Sequence, residues 1–337
     1  MPIALYPQAF GRRVRPRRDA GTVVPMLSDL MGTVGTQDFL LRRDALACGI
    51  GDNALARMVK RGELVRIRHG VYASRAAWGA LSGAQRHRVH TRAVQALYGE
   101  HVAVSHTSQA IADGAPDWGH DLRSVHLTHL AGGGRRHAGI VHHEGSLRVP
   151  DLSRSRDGWH TTPTRTVLDC CNLLSTEAGL VLANWYLYKG LTTTEELETR
   201  YVELQRSPRM LAVRLVLRLA DGGAQSVGES RFLHLLWREG LPRPVLQYPV
   251  WDGDVLVGTV DAVWPELGVM AEFDGKVKYG RLAKPGQSAA DVVFAEKVRE
   301  DRIRELTGFR VIRPIWSDLD RPALLAQRLR RLMSHAA

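Results

Sequence analysis

Cysteine is scarce in this chain. Its 337 residues include three cysteines, Cys48, Cys170 and Cys171, and two of them are adjacent. An odd number without Cys-x-x-Cys spacing argues against a disulfide framework and against a cysteine zinc site. Such sparing use of cysteine is typical of a reducing compartment, so we expect a cytoplasmic protein whose cysteines lie in its core.

Long hydrophobic runs are missing as well. No apolar stretch reaches the roughly 18 residues that a membrane helix needs. The basic cluster near the N-terminus is followed by Val23–Val34, which Pro25 and Asp29 interrupt and which leads to no A-x-A site, so we do not expect a signal peptide. Residues 1–25 are rich in Arg, Pro and Gly and lack periodicity. This composition predicts a disordered basic arm. If translation begins at Met26, these residues are instead untranslated upstream sequence.

Acidic residues are scarce in the first third of the chain. Residues 1–100 hold 16 Lys and Arg against 7 Asp and Glu, a net charge of +9 out of +11 for the whole chain. A basic segment of this kind favours a polyanionic partner, and double-stranded DNA is the first candidate. A solvated basic surface that binds nothing specific is the alternative.

Residues 26–80 have the order of elements of a winged helix-turn-helix. Phe39–Cys48 predicts a short helix, and Asp52 is a suitable N-cap for a second helix that runs to about Gly62. The sequence LVRIRHGVYAS then predicts two short strands around a turn. In a helix-turn-helix the second helix enters the major groove.

The second helix has one apolar and one cationic face. Asn53, Arg57 and Lys60 recur at helical spacing, and Leu55 and Met58 fall on the other side. Asparagine suits adenine and arginine or lysine suits guanine, whereas wing arginines suit phosphates or the minor groove. A small helical subdomain for protein contacts is the alternative. The predicted DNA-binding residues are Asn53, Arg57, Lys60, Arg61, Arg66 and Arg68.

Residues 81–222 mix helical and strand patterns and predict an α/β middle domain. Nine of the fourteen histidines lie between His101 and His160, but they show no HExxH or other regular ligand spacing. Most of them are expected to be surface or core residues rather than metal ligands. The glycine-rich loop AGGGRRH lacks the GK[ST] ending of a P-loop, so it is only weak evidence for a phosphate-binding site.

Residues 223–337 predict a third domain with the order α, β, β, β, α, β, α. Its most informative part is GTVDAVWPELGVMAEFDGKVKYGR, which predicts two strands joined by a turn at Pro265–Gly268. If that turn is a four-residue loop, Trp264 pairs with Val269. Three residues further along each strand, Asp261 then lies opposite Glu272. Two carboxylates that face each other across a ladder repel, and a cation between them relieves the repulsion.

Further residues near this pair complete a candidate metal site. Glu229 begins the preceding helix, Asp274 shares a face with Glu272, and Lys276 and Lys278 follow at once. Magnesium prefers carboxylate oxygens, and a divalent cation polarises a phosphodiester and activates water. The alternative is that these acids cap turns and pair with nearby Lys and Arg. The predicted Mg²⁺ or Mn²⁺ ligands are Asp261, Glu272 and Asp274, with Glu229 and Lys276 as further catalytic residues.

Three blocks of the last domain resemble a known nuclease group. ESRFLHLLWREGLP, VDAVWPELGVMAEFDG and REDRIRELTGFRVIRPIWSDL are similar to the small endonuclease domain of Vsr-like (very-short-patch-repair) proteins, within the PD-(D/E)xK class. The resemblance implies a restriction-endonuclease-like fold over residues 225–325, with Glu229, Asp261 and Glu272 as metal-site acids. The class has lysine two residues after the second acid. This chain has Asp274 there, and Lys276 is the candidate replacement.

Blocks further upstream resemble another family. RHGVYAS, SHTSQAIADG and TTPTRTVLD are similar to the AbiEi-type antitoxin and regulator family, whose N-terminal part is a winged helix. The combined architecture is similar to that of many actinobacterial proteins. This resemblance implies repression of its own promoter and neutralisation of a nucleotidyltransferase-like toxin, without enzymatic activity.

The sequence thus predicts a mixed α/β protein with three domains: a winged helix-turn-helix, an α/β middle domain and a C-terminal restriction-endonuclease-like fold. Two functions remain open. One is DNA binding coupled to Mg²⁺- or Mn²⁺-dependent DNA cleavage. The other is a non-enzymatic antitoxin and transcriptional autoregulator.

Overall fold

The structure is a computed structural model that describes residues 38–130, 135–137, 139–144, 147–206, 209–274 and 289–334. The chain divides into two compact units, residues 1–79 and residues 80–337. Both units contain helices and strands, which confirms the predicted mixed α/β class. The predicted basic arm (residues 1–25), Lys276 and Lys278 lie outside the described residues.

The first unit is a three-stranded sheet accompanied by short helices. Strand β3 lies in the centre and pairs antiparallel with both β1 and β2. The elements are β1 (Leu40–Leu41), α1 (Arg42–Ala47), α2 (Asp52–Lys60), β2 (Leu64–Arg68), β3 (Val71–Ser74) and α3 (Arg75–Ala80).

A small apolar core holds the first unit together. Leu55 of α2 and Leu64 of β2 are fully buried, and Leu40 of β1 packs with them. Burying side chains of this size contributes about 1.5–3 kcal/mol each. Gly49 adopts φ +80, a left-handed conformation that lets the chain turn sharply between α1 and α2.

Two local predictions in this unit were wrong. The helix expected at Phe39–Cys48 begins at Arg42, because Leu40 and Leu41 pair with β3 instead. The N-cap of α2 is Gly51 rather than Asp52. The Asp52 carboxylate accepts hydrogen bonds from Arg42, so it is not available to cap the helix.

The second unit begins with a six-stranded mixed sheet of order β6-β7-β5-β4-β9-β8. Two of its pairings, β5 with β7 and β4 with β9, are parallel. The strands are β4 (Val102–Val104), β5 (Val125–His129), β6 (Arg135–His137), β7 (Ile140–His143), β8 (Leu152–Ser155) and β9 (Gly158–Thr161). The helices that precede and interrupt them are α4 (Gly83–Tyr98) and α5 (His106–Asp113).

A run of helices follows the six-stranded sheet. Thr193 caps α8 through a capping box with Glu196, as its TTTEEL sequence predicts. The helices are α6 (Pro163–Leu173), α7 (Thr176–Tyr188), α8 (Thr194–Leu204), α9 (Met210–Leu219) and α10 (Val227–Arg238).

The C-terminal part contains a four-stranded sheet of order β10-β11-β12-β13, in which β12 and β13 are parallel. One hydrophobic cluster runs from Ala110 in α5 to Leu329 in the last helix, so the ranges predicted as middle and C-terminal domains share a core. No described helix is long and apolar enough to cross a membrane. The remaining elements are β10 (Val245–Asp252), β11 (Val255–Trp264), β12 (Val269–Ala271), α11 (Ala289–Thr307), β13 (Arg310–Ile312), α12 (Trp316–Leu319) and α13 (Pro322–Ser334).

Candidate nucleic-acid interface and acidic cluster

Helix α2 presents the cationic face that its sequence predicts. Leu55 and Met58 are 0% and 4% exposed and turn into the core of the first unit. Arg57 and Lys60 therefore lie on the outer side, and both are exposed. The exposed predicted residues of this helix and its C-terminal end are Asn53, Arg57, Lys60 and Arg61.

An ion pair ties α2 to the preceding helix. Arg42 donates two hydrogen bonds to the Asp52 carboxylate, each 2.6 Å long. The hydrogen bonding lowers the pKa of the Asp52 carboxyl. The pair joins residues ten positions apart on different helices, and sequence analysis missed Arg42 because no periodicity links it to Asp52.

The hairpin β2–β3 carries the remaining predicted DNA-binding residues. Gly70 at its tip has φ +73, which permits the tight turn. Arg66 is exposed and its Nη2 lies 2.6 Å from Nδ1 of His69, so the two side chains share the tip. Arg68 is half-buried at the same end, and the register between β2 and β3 is irregular between Arg66 and Arg68. The structure thus places both predicted wing arginines at the tip of the hairpin.

The predicted strand register in the second unit is confirmed. Trp264 pairs with Val269, and the ladder continues through Val263 with Met270 and Ala262 with Ala271. Asp261 and Glu272 occupy the next positions along the two chains. Oδ2 of Asp261 accepts a hydrogen bond of 2.9 Å from the backbone N–H of Phe273.

Glu272 lies in a crowded electrostatic environment. Burial raises the pKa of its carboxyl, the negative charges of Glu300 and Asp261 raise it further, and Arg299 opposes them. Nη2 of Arg299 lies 3.5 Å from Glu272 Oε1, and Nη2 of Arg313 lies 4.0 Å from Oε2. Arg313 also forms an ion pair with Glu300. These arginines supply positive charge beside Glu272, and sequence analysis missed them because they come from α11 and from the segment after β13.

The other two predicted acids have separate roles. Glu229 is buried in the first turn of α10, where its carboxylate accepts hydrogen bonds from the Gln225 N–H and the Ser226 hydroxyl. Asp274 is half-buried and its backbone N–H donates to the Pro314 carbonyl. Glu229 therefore stabilises the start of a helix.

A glycine brings the start of α10 close to the end of β12. A Cβ atom at Gly228 would lie 2.0 Å from the Phe273 ring, so only glycine allows this packing. Phe273 stands between Glu272 and Asp274 in sequence, and its backbone binds Asp261. The packing places Gly228, the neighbour of Glu229, against the segment that carries the predicted acids.

Two carboxylates of the predicted metal site, those of Asp261 and Glu272, lie near each other. Of its other described members, Glu229 accepts hydrogen bonds at the start of α10, and Asp274 donates its backbone N–H to Pro314. Within the described ranges, no group of three or more His, Cys, Asp or Glu side chains is arranged to hold a metal ion. An Mg²⁺ or Mn²⁺ ion would rest on Asp261 and Glu272, and Arg299 and Arg313 already offset the charge of Glu272 in part.

Three histidines of the histidine-rich segment pack together at the six-stranded sheet, with His126 on β5, His143 on β7 and His106 on the adjoining helix α5. Nδ1 of His126 lies 2.8 Å from Nε2 of His143, and the His143 ring stacks on that of His106 at a centroid distance of 3.5 Å. Nδ1 of His106 lies 3.9 Å from Oδ2 of the buried Asp169, which pairs with Arg165. Burial lowers the pKa of His143 to about 3. Among the described side chains, no three of this cluster are arranged to hold a metal ion, and burial favours the neutral form of these rings.

One comparison with known proteins bears on the first unit. Residues 28–75 match the family model described as "Transcriptional regulator, AbiEi antitoxin". This range includes α1, α2, β2 and β3, and all six residues predicted to bind DNA. It confirms the regulator family for this part of the chain.

Two proteins of Mycobacterium tuberculosis are similar over most of the chain. They are named "Uncharacterized protein MT2308" and "Uncharacterized protein Rv2248". Each is 28% identical over 286 residues, which cover 82% of this chain and 95% of the relative. The similarity therefore extends well beyond the region that the family model covers.

Proposed function

We propose that this protein is a DNA-binding transcriptional regulator of the AbiEi antitoxin type, which reads double-stranded DNA with α2 and the β2–β3 hairpin. One observation carries the proposal. Arg57 and Lys60 are exposed on the face of α2 that lies opposite the buried Leu55 and Met58, inside the region that matches the regulator family.

The chemistry of this face fits base readout as well as phosphate binding. Asn53 lies in the first turn of α2, and the N-terminal residues of a recognition helix contact base edges. Its amide can bond both N6 and N7 of adenine. Arg57 and Lys60 follow one and two turns later, where they can bind guanine or phosphate. Arg66 and Arg68 would add contacts from the hairpin.

Binding to the DNA upstream of its own gene tests the proposal. The wild-type protein is expected to shift and footprint this fragment in preference to a scrambled one of the same composition. Asn53→Ala is expected to reduce that preference by about 1–3 kcal/mol, the discrimination of a bidentate base contact. Equal affinity for both fragments would contradict sequence-directed binding.

The antitoxin role has its own test. The regulator would repress a shared promoter, and a nucleotidyltransferase-like toxin would be encoded beside it. Expression of that neighbour alone should arrest growth of the host, and co-expression of this protein should restore it. If growth stays arrested when both proteins are expressed, the antitoxin function is refuted and the regulator function still stands.

A second candidate function is metal-dependent DNA cleavage by the second unit. It is supported by the register of β11 and β12, which ends one residue short of Asp261 and Glu272, and by the raised pKa of the Glu272 carboxyl, to which Asp261 contributes. An Mg²⁺ or Mn²⁺ ion would stabilise both ionised carboxylates and activate water for attack on a phosphodiester. Lys276 would stabilise the developing charge. The ion pairs of Glu272 and the capping role of Glu229 count against it.

Nicking of supercoiled plasmid in Mg²⁺ or Mn²⁺ separates the two candidates. Asp261→Asn is the informative variant, because its amide oxygen can still accept the Phe273 N–H, which an alanine at this position cannot do. Glu272→Gln similarly retains size while removing charge. The nuclease proposal requires cleavage by the wild type that both variants lack, and equal cleavage by all three proteins would refute it.

A further inference from the structure

Helix α8 carries an exposed acidic stripe that DNA reading does not use. Glu195 and Glu198 are exposed, and Val202 is 58% exposed. Their spacing of three and four residues places them on one face of the helix. In the part of the chain that the structure describes, the ion pairs of α8 are formed by Arg200 and Glu203 instead. The stripe is therefore charged and has no cation paired with it within these ranges.

The next helix carries a matching cationic stripe. On α9, Leu211 is 80% exposed, and Arg214 and Arg218 are exposed at helical spacing from it. The opposite face of α9 is buried in the main hydrophobic cluster. Leu211 and both arginines line a groove of about 840 Å³ that Leu173 and Leu215 extend. Neighbouring leucines with arginines at their rim, as in this groove, are the pattern of an interaction surface.

The two stripes are complementary when a second copy is placed antiparallel. Glu195 and Val202 are seven residues apart, as are Leu211 and Arg218, which is about 10.5 Å along each helix. Antiparallel alignment of α8 with a second α9 sets Glu195 opposite Arg218 and Val202 opposite Leu211. Glu198 then lies beside Arg214. One end of the interface joins opposite charges, and the other joins apolar side chains.

Both stripes belong to consecutive helices that pack against each other in one chain. Adjacent helices therefore carry the two halves of the interface, and a two-fold arrangement needs both halves on each copy. Other occupants fit less well. Nucleic acid would be repelled by Glu195 and Glu198, and the chain's own arginine-rich N-terminal residues would be repelled by Arg214 and Arg218.

We propose that the α8–α9 surface, defined by Glu195, Glu198, Val202, Leu211, Arg214 and Arg218, binds a second copy of this chain. Helix α8 of one copy packs antiparallel on α9 of the other. The two-fold axis generates a second, identical pair from α9 of the first copy and α8 of the second. The dimer so formed contains four ion pairs and two Val–Leu contacts.

Charge reversal tests this pairing on the full-length protein by light scattering and analytical ultracentrifugation. The wild type is expected to be dimeric. The double variants Arg214→Glu/Arg218→Glu and Glu195→Lys/Glu198→Lys are each expected to raise the dimer dissociation constant about 30-fold or more, because each turns four exposed ion pairs into repulsive ones. Arg156→Glu/Arg321→Glu, which reverses two exposed arginines elsewhere in the second unit, is the matched control and should remain dimeric.

Mixing the two reversed variants makes the test specific. In a mixed dimer one half of the interface joins glutamate on α9 with lysine on α8, and the other half is as in the wild type, so a 1:1 mixture should regain the wild-type dissociation constant. Circular dichroism identifies any variant that fails to fold, and Leu211→Glu offers a second disruption without charge reversal on α8. A monomeric wild type, dimers that survive both reversals, or folded variants whose mixture stays monomeric would each overturn the proposal.

Discussion

Mild acid is predicted to destabilise the second unit through its buried histidines. His143 and His120 have pKa values of about 3 and about 4 because burial penalises their charged forms. The His106 pKa is lowered in the same direction, with burial as the main cause. In the unfolded chain each imidazole has a pKa near 6.5. Below that pH the histidines of the unfolded state bind protons and those of the folded state do not. The free energy of unfolding therefore falls as pH decreases from about 6.5 towards 4.

The size of the effect follows from these values. Each histidine that stays neutral in the folded state costs about 1.4 kcal/mol per pH unit below 6.5, or about 2 kcal/mol at pH 5. Two such residues cost about 4 kcal/mol, a large part of the 5–15 kcal/mol that stabilises a typical domain. Burial raises the pKa values of Asp113 and Asp169, so these carboxyls take up protons in the folded state at higher pH than usual. They offset part of the destabilisation at the acid end of the window.

Urea unfolding between pH 5 and 8 measures this dependence. Tryptophan fluorescence reports the second unit, because of the eight tryptophans only Trp78 lies in the first. His143→Gln is expected to reduce the slope of unfolding free energy against pH by up to about 1.4 kcal/mol per unit. His101→Gln, which alters an exposed histidine, is the matched control. Equal stability at pH 5 and 7.5, or equal slopes for both variants, would refute the reasoning.

Two further predictions concern packing and buried charge in the second unit. Gly228→Ala places a methyl group against the Phe273 ring and should destabilise the unit by about 1–3 kcal/mol in urea unfolding. An unchanged unfolding midpoint would mean that the ring is free to move away. Asp151 is buried and accepts hydrogen bonds from Arg165 and Arg200. Asp151→Asn should cost about 1.5–3 kcal/mol, because both arginines lose a charged acceptor while Asp169 and Glu203 still pair with them. A decrease below about 1 kcal/mol would show that other groups can replace that carboxylate.

Local patterns predicted much of this fold. The turn at Pro265–Gly268 determines the strand register that places Asp261 near Glu272, because a four-residue loop leaves one pairing. Helix periodicity predicted the buried and exposed faces of α2. The start of α8 is likewise local in origin, because Thr193 and Glu196 form a capping box.

Contacts between distant segments could not be predicted in this way. Arg299 and Arg313 reach Glu272 from elements that follow it by more than twenty residues, and no local pattern indicates that pairing. The pairing of Leu40 with Tyr72 shortened the expected first helix for the same reason. Glu229 was predicted as a catalytic residue from its place at the start of the helix before the sheet, and no local pattern indicated that its carboxylate accepts hydrogen bonds from Gln225 and Ser226.

The salt dependence of DNA binding tests the central claim most directly. Wild-type protein is compared with Arg57→Ala/Lys60→Ala, and with Arg156→Ala/Arg321→Ala, which removes the same charge from the second unit. If Arg57 and Lys60 bind phosphates, their removal should weaken binding and reduce the slope of log K against log salt by about 1.8, because each neutralised phosphate contributes about 0.9. The control should keep the wild-type slope. An unchanged slope and affinity in the Arg57→Ala/Lys60→Ala variant would contradict the assignment of α2 as the DNA-reading helix.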